Sequence, residues 1–309
     1  MTSSEPYCSG ARVPLDAGKQ AAMVGEDRSR DDDVELVRQR AATAQTRAAA
    51  SAAAAARTDL WVQQGGPEVL RRVAERHRAA AACHLAAAEM HETYARCLDA
   101  WRPAKRDARP LFMSSVVAAC GADGGAVVLL DEHVRQLAVA SSDQRAARAQ
   151  DLEWVLGEGP IREAVRTGAV VAAEGAGLVA RWPAYGRGLH DLGLRAAAAV
   201  PLLSGERQFG ALAVFDRLSP PRPADLQRVG AALGDDVLLG PDGDPLLYGE
   251  ADLQSVVHQA AGMSSEAEGC SLADALTLIK ARSFTEGTTT RDIAHRIVHQ
   301  GLRLTIEPE

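Results

Sequence analysis

Aromatic residues are scarce: Phe, Tyr and Trp together make up 4% of the 309 residues. The hydrophobic total is 47%, but much of it is alanine, which removes little apolar area from water per residue. A core built mainly on large side chains is therefore excluded, and thin helix–helix packing is expected. Paired cysteines are also missing. Cys8, Cys83, Cys97, Cys120 and Cys270 are spread along the chain with no CxxC among them. That spacing gives neither a zinc site nor a disulfide framework, so reduced thiols are expected. No run of about 18 uncharged apolar residues appears that would span a bilayer, and the alanine-rich stretch 48–56 is short. The first sixteen residues lack a basic start followed by an apolar run. The expectation is a cytoplasmic protein with no membrane partner. A basic excess is absent too, since the net charge is −7. Any nucleic-acid site must then be local rather than a property of the whole surface.

What is present divides into five segments. Residues 1–33 are polar and end in Asp31-Asp32-Asp33, which reads as a disordered tail. Residues 34–109 are dominated by the helix formers Ala, Arg and Gln and are interrupted by Gly65-Gly66-Pro67. They read as a helical hairpin or coiled-coil stalk of two helices. In the second helix Leu70, His77, His84, His91 and Leu98 recur every seven residues. Val73, Ala80, Ala87, Tyr94 and Trp101 form the row three further on, giving an a/d seam. Neighbouring histidines of that row are about 10 Å apart along one helix, too far to share one metal ion, so no metal site is expected. Partly exposed seam positions in a hairpin or homodimer explain the row, with a pH-sensitive seam as the alternative. From 34 to 109 there are 13 Lys+Arg and 8 Asp+Glu, so the stalk is the basic part of the chain.

Residues 110–240 alternate between helix and strand. Apolar runs at 126–130, 136–140, 170–172, 196–203 and 209–215 read as strands, with Asp131-Glu132-His133 and Ser204-Gly205-Glu206 as turns. Helices are expected at 111–120, 146–156, 161–167, 182–192 and 223–239. The order predicts an α+β sandwich of antiparallel strands with helices on one face. Three groups of residues resemble the GAF domains of actinobacterial regulators. They are Leu156-Gly157-Glu158-Gly159-Pro160 with Glu163-Ala164, then Arg181-Trp182-Pro183 with Tyr185, then Val200-Pro201-Leu202 leading to Gly210-Ala211-Leu212. Where such domains often carry cysteine after Gly-Pro, this chain has Ile161, which excludes a thiol sensor there.

Residues 241–250, with Asp242-Gly243-Asp244-Pro245, read as a linker, and 251–305 as three amphipathic helices. Ser271-x-x-Asp274 resembles a capping box at the start of the second helix. The segments 256–263 (Val-Val-His-Gln-Ala-Ala-Gly-Met), Asp274-Ala275, 278–284 (Leu-Ile-Lys-Ala-Arg-Ser-Phe) and 291–294 (Arg-Asp-Ile-Ala) resemble an ANTAR domain without a gap. The resemblance implies an all-α three-helix module that binds tandem RNA hairpins in nascent transcripts and prevents termination. Ala260, Gly262, Ala275 and Ala294 are the small residues available where helices cross. Lys280, Arg282, Arg291 and Arg296 are the cations available for phosphates. Five acids balance five Lys+Arg from Leu253 to Leu304.

The chain thus reads as a multidomain protein: α-helical stalk, α+β GAF sandwich and ANTAR module. Its expected function is that of a transcription antitermination regulator, dimeric through the stalk. The alternative is a protein-interaction regulator whose ANTAR helices no longer bind RNA. An enzyme is not expected, because no phosphate loop, HExxH, GxSxG or Cys–His constellation appears. Glu158 and Glu163 as a catalytic carboxylate pair is the weaker reading beside a role in the fold of that corner. No cofactor is expected. His133 and His190 lack a haem or chromophore motif, and a small-molecule ligand of the GAF domain stays unspecified.

Overall fold

The computed structural model describes residues 17–101, 111–130, 136–204, 207–216, 220–238 and 255–304. The linker 241–250, the turn at Asp131-Glu132-His133 and Cys8 lie outside the described residues.

Two long helices open the chain, α1 (Ala17–Gln63) and α2 (Val69–Ala100). The first begins well before the boundary expected at residue 33. No proline occurs from Ala17 to Gly66, and an isolated glycine costs a helix only about 1 kcal/mol relative to alanine. The helix therefore runs through the Asp31–Asp33 triplet. On α1, Val34, Val37, Ala41, Ala44, Ala48, Ala55 and Thr58 are buried, a spacing of threes and fours that makes one seam. On α2 the deepest row is alanine: Ala74, Ala81, Ala88 and Ala95 are buried at seven-residue intervals beside His91 and Leu98. Val73 and Ala80, expected in the seam, are only half-buried. Small side chains draw the two helices together, so the contact centres on alanines rather than on the larger residues that mark the pattern.

The hairpin is not a free-standing stalk. The second half of α2 lies against α3 (Phe112–Cys120) and α8 (Pro223–Ala232). Met90, Tyr94 and Leu98 share one buried cluster with Phe112, Val127, Val200, Leu212 and Leu226. The Tyr94 ring meets Phe112 edge-on at 5.5 Å, and His91 lies 5.3 Å from the same ring. A polar contact closes the joint: His84 Nδ1 is 2.6 Å from Asp236 Oδ2, and Arg47 approaches the other oxygen at 3.6 Å. Two histidines of the seven-residue row, His84 and His91, thus serve separate contacts.

The sheet has five antiparallel strands, β1 (Gly124–Leu130), β2 (Gln136–Ser141), β3 (Val171–Glu174), β4 (Ala196–Ser204) and β5 (Arg207–Asp216). Their order is β2-β1-β5-β4-β3. Helices cover both faces, not one. Val127, Ala198, Val200, Leu212 and Val214 face α2, α3 and α8. Ala126, Val128, Ala197, Ala199, Ala213 and Phe215 face α4 (Gln144–Leu156), α5 (Pro160–Thr167), α6 (Ala176–Arg181) and α7 (Pro183–Asp191). The near-continuous apolar runs of β1, β4 and β5 are what two-sided burial requires. The helix expected at 182–192 is α7, and a short helix not expected from the sequence, α6, precedes it. Trp182, preceding Pro183, sits at φ −131° and ψ 86°, because a residue before proline is driven out of the helical region. At its C-terminal end α8 widens into a π-helical turn, Leu233–Leu238.

Three helices complete the chain: α9 (Ser255–Glu268), α10 (Leu272–Glu286) and α11 (Thr290–Gln300). Ser271 and Asp274 form the reciprocal cap expected for α10, and Thr289 with Asp292 forms a second one for α11. The core consists of Val257, Ala260, Ala261, Ala275, Ile279, Ile293, Ala294, Ile297 and Leu304. Trp154 of α4 packs against its edge.

One expected outcome follows for the hairpin joint. His84→Ala removes a partner from Asp236, whose side chain is only 8% exposed. A loss of about 1–3 kcal/mol is expected, read as a lowered Tm and denaturant midpoint with an unchanged m-value.

Candidate functional site

The sensor motifs meet in space. Glu158 Oε1 accepts hydrogen bonds from the backbone N–H groups of Ala184 (2.6 Å) and Tyr185 (2.9 Å). It thereby caps α7, whose own N-cap residue Trp182 makes no side-chain cap. Glu163 accepts a forked pair from Arg181, Nε at 2.9 Å and Nη2 at 2.7 Å, and a third bond from Trp182 Nε1 at 2.9 Å. Those donors, Arg181 first, hold its carboxyl below the usual carboxylate range. The Gly-Glu-Gly-Pro and Arg-Trp-Pro segments are therefore two halves of one knot that ties α6 and α7 to α5. Glu163 engages both carboxylate oxygens in it and Glu158 its Oε1.

A third carboxylate, missed in the sequence, lies deeper. Glu153 is 1% exposed, and its Oε1 accepts the Arg162 N–H at 2.8 Å. It thus caps α5, whose N-cap Gly159 has no side chain. Gly159 is required there: its φ is +155°, and a Cβ would lie 2.5 Å from the Glu153 carboxyl carbon. Burial pushes the Glu153 carboxyl up to about 7, against the opposing pull of the α5 backbone donors and Arg162. Its Oε2, the Gln150 Oε1 and the Tyr185 hydroxyl are buried with no hydrogen-bond partner. The available signal was a glutamate at the seventh position of a buried helical stripe, Ala146, Ala149, Gln150 and Glu153.

This face of the sheet is filled rather than hollow. Leu178, Tyr185, Leu189 and Phe215 are at most 1% exposed, and Ile161 is buried among them. On the opposite face, burial pushes the thiols of Cys83 and Cys120 up to about 12. His133 lies outside the described residues, and His190 is half-buried on α7, its Nε2 buried with no hydrogen-bond partner among the described residues. Among the described residues no group of three or more His, Cys, Asp or Glu side chains could hold a metal ion.

On the C-terminal helices, Ala260, Ala275 and Ala294 are fully buried where the helices cross. Gly262 is not: it faces outward on α9, and a Cβ there would meet nothing within 4 Å. The close approach expected of it is made by Ala260 and Ala261. The four candidate cations separate into two places. Arg282 and Arg296 both pair with Glu286, which their hydrogen bonds hold below the usual carboxylate range. Arg291 is exposed in the first turn of α11. Lys280 instead points at the sensor, its Nζ 4.8 Å from the centre of the Trp154 ring. Burial lowers its pKa, and the nearby Arg162 lowers it further.

The joint between sensor and C-terminal helices rests on α4. Asp151 accepts hydrogen bonds from the Thr290 backbone N–H at 2.7 Å and from the Thr290 hydroxyl at 3.0 Å. An acid from the sensor thus sits at the N-terminus of α11, where the helix dipole favours negative charge. Two clefts flank this contact, of about 500 Å³ and about 440 Å³.

Two variants test the sensor's polar contacts. Glu158→Ala removes the cap of α7 and is expected to cost about 1 kcal/mol, measured by thermal or urea unfolding. Glu153 gives a pH signature. Between its ordinary value of 4.5 and about 7, the folded chain holds a proton that the unfolded chain has released. The contribution of Glu153 to stability is therefore fully present below pH 4.5 and falls by about 2–3 kcal/mol as pH rises through that window. Glu153→Gln, neutral throughout, should flatten that part of the Tm-against-pH profile.

No curated protein matches the chain. The family model of the GAF domain matches residues 111–237, and the antiparallel sheet with its two helical layers, from α3 to the π-helical turn, is a GAF domain.

Proposed function

We propose that the protein is a regulator of transcription antitermination, in which the GAF domain senses a small-molecule signal and the C-terminal helices, of ANTAR type, bind tandem RNA hairpins in nascent transcripts. The observation that carries the reading is the match between the ANTAR-like spacing and one compact core. The four segments at 256–263, 274–275, 278–284 and 291–294 fall on three helices whose Val257, Ala260, Ala275, Ile279, Ile293 and Ala294 pack together. Arg282, Arg291 and Arg296 then lie around the α10–α11 corner, in a position to meet phosphates. Glu286 competes for two of them. Surface ion pairs of this kind contribute little to stability, so phosphate can replace the carboxylate at low cost. The protein acts in the cytoplasm, and the exposed Trp61, Val69 and Leu85 of the hairpin support homodimerisation through α1 and α2.

A second reading, a module that contacts another protein rather than RNA, draws on the exposed Met263, Leu272 and Phe284, which are 43%, 49% and 60% exposed. Binding of the full chain to a paired-hairpin RNA across a salt series separates the two. Arg291→Ala should weaken binding evenly across hairpin sequences and reduce the salt slope by about 1. Glu286→Gln, which releases Arg282 and Arg296, should tighten binding several-fold and steepen the slope. Absence of RNA binding in both the unaltered protein and Glu286→Gln would sink the RNA reading and leave the protein-contact one.

A further inference from the structure

The larger of the two clefts is walled from both sides of the joint. The GAF domain supplies Val128 and Leu130 from β1, Ile161 and Val165 from α5, and Trp154 from α4, while α10 supplies Leu276. Its volume, about 500 Å³, is that of a pocket for a small organic ligand. Arg162 of α5 and Lys280 of α10 also line it. Neither makes an ion pair with a carboxylate among the described residues. Lys280 is half-buried over the Trp154 ring. Two like charges thus stand at one apolar cleft, close enough that Arg162 disfavours the charge on Lys280. The remaining titratable groups in the walls are Glu153 and His258. Glu153 is nearest to acting as a counter-charge, but its Oε1 is turned to the α5 backbone and burial favours its protonated form.

We propose that this cleft binds a small amphipathic carboxylate, an aromatic or aliphatic body lying on Trp154, Ile161 and Leu276 with its carboxylate between Arg162 and Lys280. Because Lys280 belongs to the C-terminal helices and Arg162 to the GAF domain, the ligand ties the two together. It stabilises the docked arrangement that Asp151 and Thr290 hold, and it keeps Lys280 over Trp154, away from the Arg282, Arg291 and Arg296 corner, so an RNA that also recruits Lys280 competes with it. Ligand and RNA then oppose each other, and by linkage each lowers the other's affinity by the same factor. The effect on RNA rests on the function proposed above, whereas the binding site does not.

The test is calorimetric titration of the full chain with 2-naphthoate and with decanoate, against the neutral 2-naphthylmethanol and decanol. At least one carboxylate is expected to bind, and its alcohol about tenfold more weakly or worse. Lys280→Met and Arg162→Gln should each weaken the carboxylate by a similar factor, with Tm confirming that both variants fold. Arg187→Gln, in the smaller cleft, should leave it unchanged. Bound carboxylate should also lower the affinity for paired-hairpin RNA. The site is overturned if neither carboxylate binds at millimolar concentration. Affinity that is indifferent to both Lys280→Met and Arg162→Gln would overturn it equally. Carboxylate binding that follows the two variants in a protein with no RNA affinity upholds the site and removes the RNA function instead.

Discussion

A buried carboxylate organises the outer layer of the GAF domain. Glu153 supplies from α4 the cap that Gly159 cannot supply for α5. With α5 placed, Glu163 on its first turn reaches Arg181 and Trp182, and Glu158 just before it reaches the first N–H groups of α7. Three glutamates within eleven residues thus set three helix positions against the sheet. Glu153 and Glu158 satisfy backbone donors that would otherwise be unpaired at a helix start, and Glu163 accepts from the side chains of Arg181 and Trp182. The arrangement tolerates no side chain at Gly159, and its cost is one carboxyl held largely out of water. Protonation near neutrality lowers that cost, since a buried neutral acid is far cheaper than a buried charge.

Alanine sets the character of the other face. A seam of Ala74, Ala81, Ala88 and Ala95 against Ala41, Ala44, Ala48 and Ala55 allows close helix contact but buries little area per residue. Large side chains concentrate instead where α2 leaves the hairpin and meets the sheet, at Met90, Tyr94, Leu98 and Phe112. The hairpin is therefore anchored at one end, by apolar area and by the His84–Asp236–Arg47 contact. Its tip carries exposed Leu60, Trp61 and Val69.

The elements themselves were legible in the sequence to different degrees. All five strands coincide with apolar runs, because a strand buried on both faces leaves no alternation to misread. The same property, read for its cause, would have shown helices on both faces. The start of α1 was hidden because Asp31–Asp33 resembles a terminus, although nothing from Ala17 onward forbids helix. The alanine row of α2 was hidden because alanine occurs equally at buried and exposed positions. The break between α6 and α7 was available in Trp182-Pro183. At the candidate site, local chemistry was readable and distant pairing was not. The capping box at Ser271 is a spacing of three, whereas Glu158 and Ala184 are 26 residues apart. Nor does any local pattern place Lys280 over Trp154.

That last contact is one of the polar contacts that join the GAF domain to the C-terminal helices. The joint is narrow: one acid accepts two bonds from Thr290, and one lysine lies on one indole. Trp154 adds apolar packing against the edge of the C-terminal core. An equilibrium between docked and released helices is shifted by a ligand only through its differential affinity for the two forms. A ligand seated wholly inside the GAF domain would touch the same atoms in both. One seated between Arg162 and Lys280 loses a cation and an apolar wall whenever the helices release. The position of the cleft, more than its volume, is what makes it able to carry a signal.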